Sequence, residues 1–143
     1  MRFPMAQRLE DLLVWQKGHR YCDAVNALLE RPEFRKDLAL RDQIRDAIDS
    51  ILSNIAEGFE QPTDRSFALY LYRSKASTAE SRARLWTAAK RRYVHRSEYE
   101  TQKAAAIELA RMLTGFIKYL RRSDLKDRGL GRSLSKASEP TDE

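Results

Sequence analysis

The sequence predicts an all-α fold, an antiparallel up-down-up-down four-helix bundle, on three observations. Five glycines and four prolines in 143 residues are few and well separated, so long stretches run free of helix breakers. Apolar side chains recur at three- and four-residue steps in four segments, and no segment reads as a strand. The connections left between those segments are too short to cross the length of a bundle, which sets neighbouring helices antiparallel. The length suits one domain over residues 1–122, followed by a flexible charged tail over residues 123–143.

The first helix is expected from about Leu9 to Glu30, burying Leu12, Trp15, Cys22, Val25 and Leu29 on one stripe, with Arg31-Pro32 ending it. The second should span Leu38 to Phe59 and is the most apolar. Leu40, Ile44, Ala47, Ile48, Ile51, Leu52, Ile55 and Phe59 form its stripe, and Gly58 ahead of Glu60-Gln61-Pro62-Thr63 supplies a stop and a turn. The third begins at Thr63 or Asp64, which offer a capping oxygen and a charge near the positive helix end, and runs to about Val94. It carries two stripes. Phe67, Tyr70, Leu71, Ser74, Leu85 and Ala88 form one; Leu69, Tyr72, Ala76, Ala79, Ala83, Trp86 and Tyr93 form another, rotated from the first. The fourth opens on the capping box Ser97-Glu98-Tyr99-Glu100 and ends near Arg122, with Tyr99, Ala106, Leu109, Ala110, Leu113, Phe116, Ile117 and Leu120 on its face and Gly115 inside it. Beyond it, Leu125, Leu130 and Leu134 are the large aliphatic residues of a polar tail.

Several function classes find no support. The single cysteine, Cys22, falls on the core stripe, and there is no Cys-x-x-Cys pair and no signal-like stretch after Met1. A reducing, cytoplasmic setting is therefore expected. The longest apolar run is three or four residues, against roughly 20 for a membrane span, so no membrane partner is expected. His19 and His95 sit in no metal-ligand spacing, and the glycine-rich phosphate loop, Gly-x-Ser-x-Gly and His-Glu-x-x-His are all absent. No catalytic residue, cofactor or metal is assigned.

Polar residues do line the helices in register. Gln43, Ser50, Asn54 and Glu57 flank the second helix's stripe, and Arg73, Ser77, Glu80 and Arg84 follow on the third. They read either as a structural polar seam holding register, with Gln43, Asn54, Glu57 and Glu80 at its centre, or as a carboxylate site built from Glu57 and Glu80. Asp42, Asp46 and Asp49 read as a solvated face beside Arg41 and Arg45. Charge is uneven: residues 1–60 hold 9 Lys/Arg against 11 Asp/Glu, and residues 61–143 hold 18 against 10, which suits a polyanionic partner. Arg82, Arg84, Lys90, Arg91, Arg92 and Arg96 crowd one acid-free stretch interleaved with Trp86 and Tyr93. Guanidinium pairs match phosphate oxygens and aromatic rings stack on bases, so RNA or DNA binding is one reading. A solvated basic helix with packed aromatics is the other.

The stretch from Gln43 to Phe59, with its Asn54-Ile55-Ala56-Glu57-Gly58 core, resembles the signature of the bacterial four-helix-bundle family of 23S rRNA intervening-sequence proteins. Asp11-Leu12-Leu13-Val14-Trp15-Gln16-Lys17, then Phe67, Ala76-Ser77 and Glu80, resemble its pattern in the same order. The resemblance implies a small up-down bundle without known catalysis, assembled as a ring-like homopentamer. One branch of that family serves diversity-generating retroelements, where a basic surface meets nucleic acid and a reverse transcriptase. Departures from the pattern fall on the third helix: Ala76 stands where glycine is usual, Ser74 where a small apolar residue is, and Ser81 where a leucine is, which makes the helix more polar than usual.

Apart from the resemblance, the second stripe of the third helix exceeds what one core can cover, and Leu69, Tyr72, Trp86 and Tyr93 are expected to form a subunit interface in a cyclic homo-oligomer. Three functional readings stand together: a non-enzymatic nucleic-acid binder, a scaffold or accessory factor for another protein, and a bundle enzyme using Glu57 and Glu80.

Overall fold

Four helices form where the apolar periodicity puts them, in a computed structural model that describes residues 8–138. They are α1 (Leu13–Leu29), α2 (Leu38–Phe59), α3 (Asp64–Lys90) and α4 (Arg96–Ser138), with short 3-10 turns at Leu9–Asp11 and Pro32–Lys36. No strand occurs among the described residues.

The ends depart from expectation for local reasons. Leu12 is extended, with φ −73° and ψ 127°, so Leu9–Asp11 is a separate turn and α1 starts four residues later than the periodicity suggests. Pro32–Lys36 is not a bare connection, because its turn drives Phe34 into the core. At α2, the Asp37 side chain accepts from the Leu40 N–H at 3.2 Å and caps the helix as a short acid does best. Gly58 is not the stop: the helix runs through it, and its missing side chain is needed for close approach, since a Cβ there would lie 2.9 Å from Tyr70 Cβ. Thr63 caps α3 through the Ser66 N–H at 3.1 Å. That helix ends at Lys90, short of Val94, because Arg92 turns left-handed at φ 64°. The Arg92 and Tyr93 N–H groups then donate to the Ala89 and Ala88 carbonyls, a Schellman closure with arginine in the usual glycine position.

Into α4, the expected box on Ser97 and Glu100 is displaced by two residues. Glu98 accepts from the His95 N–H at 2.9 Å and pairs with Arg31, while Glu100 pairs with Arg96. The helix continues past Arg122 to Ser138, since no proline interrupts it before Pro140. Residues 123–138 of the expected tail are thus helical, and residues 139–143 lie outside the described residues.

Packing joins α2 to α3, α3 to α4, and α1 to both α2 and α4. Late α2 meets early α3, with Gly58 on Phe67, Ser50 on Ser77 and Gln43 on Arg84. Ile44, Ile48, Ile51 and Ile55 of α2, Leu71 and Leu85 of α3, and Leu109, Leu113 and Leu120 of α4 are fully buried. Tyr21, on the α1 stripe's flank, is buried too.

The polar positions that interrupt α3's first stripe are buried and satisfied. Ser74 donates to the Ile51 carbonyl at 2.9 Å, Thr78 to that of Ser74, and Ser81 to that of Thr78. Since Ser81 spends its proton there, the 2.7 Å contact with Tyr21 is a bond donated by the tyrosine. Buried hydroxyls cost little once each has a partner, which is how α3 carries serine where an aliphatic residue would otherwise fill the core. No helix among the described residues is long and apolar enough to cross a membrane.

Candidate nucleic-acid interface

Trp86 lies near the C-terminal end of α3, 39% exposed. On its inner side the ring meets Tyr99 of α4, with centroids 5.3 Å apart. Lys90 and Arg96 stand over it at 5.5 and 5.0 Å, positions in which the ring quadrupole attracts a cation. The indole is thus anchored on one side by Tyr99 and partly covered on the other by two cations.

The six cations of this stretch do not form one patch. Arg84 turns toward α2, donating to Glu80 at 3.1 Å and to Gln43 at 2.8 Å. Arg91 pairs with Asp37, and Arg96 with Glu100 at 3.1 Å. Arg82, Lys90 and Arg92 make no ion pair among the described residues. Lys90 over the exposed indole, Arg82 one turn earlier on α3 and Arg92 in the following turn are therefore available to an outside anion, and Arg96 offers a fourth through its stacked plane.

Tyr93, expected at a subunit interface, turns inward. Its ring packs on Phe34 at 5.4 Å and its hydroxyl donates to Asp37 at 3.2 Å. Asp37 is held below the usual carboxylate range by the Leu40 N–H, with Arg91 and Tyr93 adding to it, while burial and the Asp37 charge push the Tyr93 hydroxyl up. This cluster ties the α1–α2 connection to the α3–α4 turn. The other three interface candidates face outward. Leu69 is 56% and Tyr72 38% exposed, with Arg121 of α4 over the tyrosine ring at 4.9 Å, and Ala76, Ala79 and Ala83 are exposed between them and Trp86.

Between α3 and α4 runs an open groove of about 430 Å³, floored by Ala79, Ala106, Ala110 and Gly115 and edged by Lys75, Arg82, Arg111 and Lys118. Only Arg82 of these cations was legible as a site residue. The other three signal themselves by seven-residue spacing on two helices, which carries meaning once α3 and α4 are known to touch.

The polar seam forms in two pieces. Gln43, Arg84 and Glu80 make one; Asn54 donating to Ser50, which meets Ser77 at 2.8 Å, makes the other. Glu57 is exposed and stands outside both. It adjoins Gly58 at the level of Tyr70, whereas Glu80 sits near Gln43, so the two carboxylates lie roughly three turns, or about 15 Å, apart and share no site. Cys22 donates to the Ile48 carbonyl, and burial pushes its thiol up to about 12, the opposite of an activated nucleophile. No group of three potential metal ligands occurs among the described residues.

The profile of one family, described as 23S rRNA-intervening sequence protein, matches residues 10–115. Among solved structures the chain is similar to a protein of unknown function from the S23 ribosomal protein family of Bacteroides thetaiotaomicron. Identity is 22% and the TM-score 0.67, over 74% of this chain and 99% of that one, a likeness of fold. Comparison with curated proteins finds no match.

Proposed function

The chain belongs to the 23S rRNA-intervening sequence protein family, and from that premise we propose that it is a non-enzymatic, cytoplasmic, homo-oligomeric four-helix bundle that binds nucleic acid through the end of α3 and the start of α4. The helices run up-down-up-down, and the copies close into a ring of five, the number coming from family resemblance. The observation that carries the reading is the Trp86 cluster: a half-exposed indole under Lys90 and Arg96, with Arg82 one helical turn earlier on α3 and Arg92 in the turn that follows it, and of these four only Arg96 has an acid partner among the described residues. Phosphates take the cations and a base can displace one from the indole face. Repetition around a ring multiplies contacts that are individually weak.

The test is binding of single-stranded RNA and DNA oligonucleotides at 50 and 200 mM salt. Three phosphate contacts per subunit give a log–log slope of about −2 for single strands, steeper when several subunits engage one strand. Absence of binding at low salt, or binding indifferent to salt, removes the reading.

A second reading has its own support. Leu13 is 69% exposed beside Tyr119, Met112 and Phe116 in an apolar hollow, which suits a protein partner such as a reverse transcriptase. A complex with such a partner that survives nuclease and leaves oligonucleotides unbound favours that scaffold role.

A further inference from the structure

The α3–α4 groove and the outer ridge of α2 match one another. The groove's cations come in pairs seven residues apart, Lys75 with Arg82 and Arg111 with Lys118, a spacing of about 10.5 Å along a helix. No acid lines the groove, and none of the four makes an ion pair among the described residues. Between the cations the lining is mostly small and apolar, with Thr78 and Thr114 its only neutral polar side chains, and a Cβ built on Gly115 would meet nothing within 4 Å. A polynucleotide backbone gains little from such a floor, whereas a helix ridge seats in it.

On α2, Asp42, Asp46 and Asp49 are exposed on the side opposite the buried Ile44–Ile48–Ile51–Ile55 stripe. Asp42 and Asp49 are also seven residues apart. The cations near this ridge are already engaged, Arg41 by Asp42 at 3.4 Å and Arg45 by Glu30 at 3.9 Å, while Asp46 and Asp49 have no ion pair among the described residues.

We infer that the groove of one copy receives the Asp42–Asp46–Asp49 ridge of the next, so that the acidic first half and basic second half of the chain are the two sides of a self-assembly contact. Ridge and groove belong to different faces of the molecule, so the contact is heterologous and can close a ring. It also covers Ala79, on the outward stripe of α3, and engages Arg82, so that Lys90, Arg92 and Arg96 at the bundle end supply the nucleic-acid contacts of an assembled copy. The inference rests on the oligomer proposed above.

Sedimentation velocity at micromolar concentration and 100 mM salt tests it with three variants whose folding is checked by circular dichroism. R111E/K118E reverses one wall of the groove at two exposed positions, and D46K/D49K reverses the ridge. Each is expected to lose at least tenfold in assembly affinity, and the combined four-site variant, in which the reversed α4 wall and the reversed ridge again carry opposite charges, to regain the mass of the unaltered protein. G115L, at an exposed position where an added Cβ would meet nothing within 4 Å, is expected to fold and fail to assemble. A monomeric unaltered protein overturns the oligomer and this contact together. An unaltered multimer whose variants all remain assembled, or whose four-site variant stays dissociated, overturns the contact alone. Variants that stay assembled and instead lose oligonucleotide binding would assign the groove to a polynucleotide and equally overturn it.

Discussion

Gly58 and Gly115 both sit inside helices, and replacing each with alanine should move stability in opposite directions. In an isolated helix alanine is favoured over glycine by about 1 kcal/mol. At Gly115 nothing lies within 4 Å of the new Cβ, so G115A should keep that gain, up to about 1 kcal/mol. At Gly58 the Cβ would lie 2.9 Å from Phe67 Cδ1 and 2.9 Å from Tyr70 Cβ. The phenylalanine can rotate a little, but Tyr70 Cβ is fixed to the α3 backbone. Ordinary contact begins near 3.4 Å, so α2 and α3 must part by about half an ångström, straining the Ser74–Ile51 and Ser50–Ser77 hydrogen bonds further along the same seam. Overpacking of this kind costs about 1–3 kcal/mol, which cancels or outweighs the propensity gain and leaves G58A less stable by up to about 2 kcal/mol. Urea unfolding followed by far-ultraviolet circular dichroism reads both variants at a concentration where assembly is held constant. A G58A midpoint above that of the unaltered protein would refute the close-approach reasoning.

Other outcomes follow from single features. R92G should stabilise the fold by about 1 kcal/mol, because glycine occupies the left-handed position without the Cβ penalty, and should at the same time weaken oligonucleotide binding; a loss of stability would contradict the Schellman assignment. Y21F removes one buried hydrogen bond while Ser81 keeps its bond to Thr78, so chemical denaturation should register a loss of about 0.5–1.5 kcal/mol, and a neutral result would mean that the tyrosine hydroxyl finds no partner there. Burial raises Tyr21 and Cys22 to about 12 from ordinary values of 10.0 and 9.0. The folded state then holds protons that the unfolded chain releases, so melting temperature should fall as pH rises from 9 toward 12. Asp37 and Glu98 are lowered, first by the backbone N–H groups of Leu40 and His95 and then by Arg91 and Arg31. Their contribution is present above the ordinary values of 3.8 and 4.5 and should be lost as pH falls below them, which D37N combined with E98Q should blunt.

The helices were legible because their signals are local. The α2 span and its isoleucine stripe follow from spacing alone, and Leu38 and Phe59 bound it as expected. What escaped depends on contacts between distant segments. Phe34 lies between the first two expected helices and on neither stripe, and only its turn packs it on Tyr93. Tyr93 reads as a member of the outer stripe, but the left-handed turn at Arg92 ends the helix and swings it inward. Ser74 and Ser81 read as polar departures from the family pattern, whereas carbonyls of α2 and α3 and the hydroxyl of Tyr21 satisfy them inside the core. For the candidate site the linear cluster from Arg82 to Arg96 was visible as charge, but its division into paired and unpaired cations depends on Gln43, Asp37 and Glu100. Lys75, Arg111 and Lys118 join Arg82 only through the meeting of α3 with α4.

Leu69 and Tyr72 stay 56% and 38% exposed, with Arg121 over one face of the tyrosine ring, and the proposed assembly requires that another copy cover them and the neighbouring groove. Light scattering of the eluting protein at micromolar concentration measures this most directly. The account predicts a mass of five times 16.7 kDa, and a peak at the mass of one chain would contradict it.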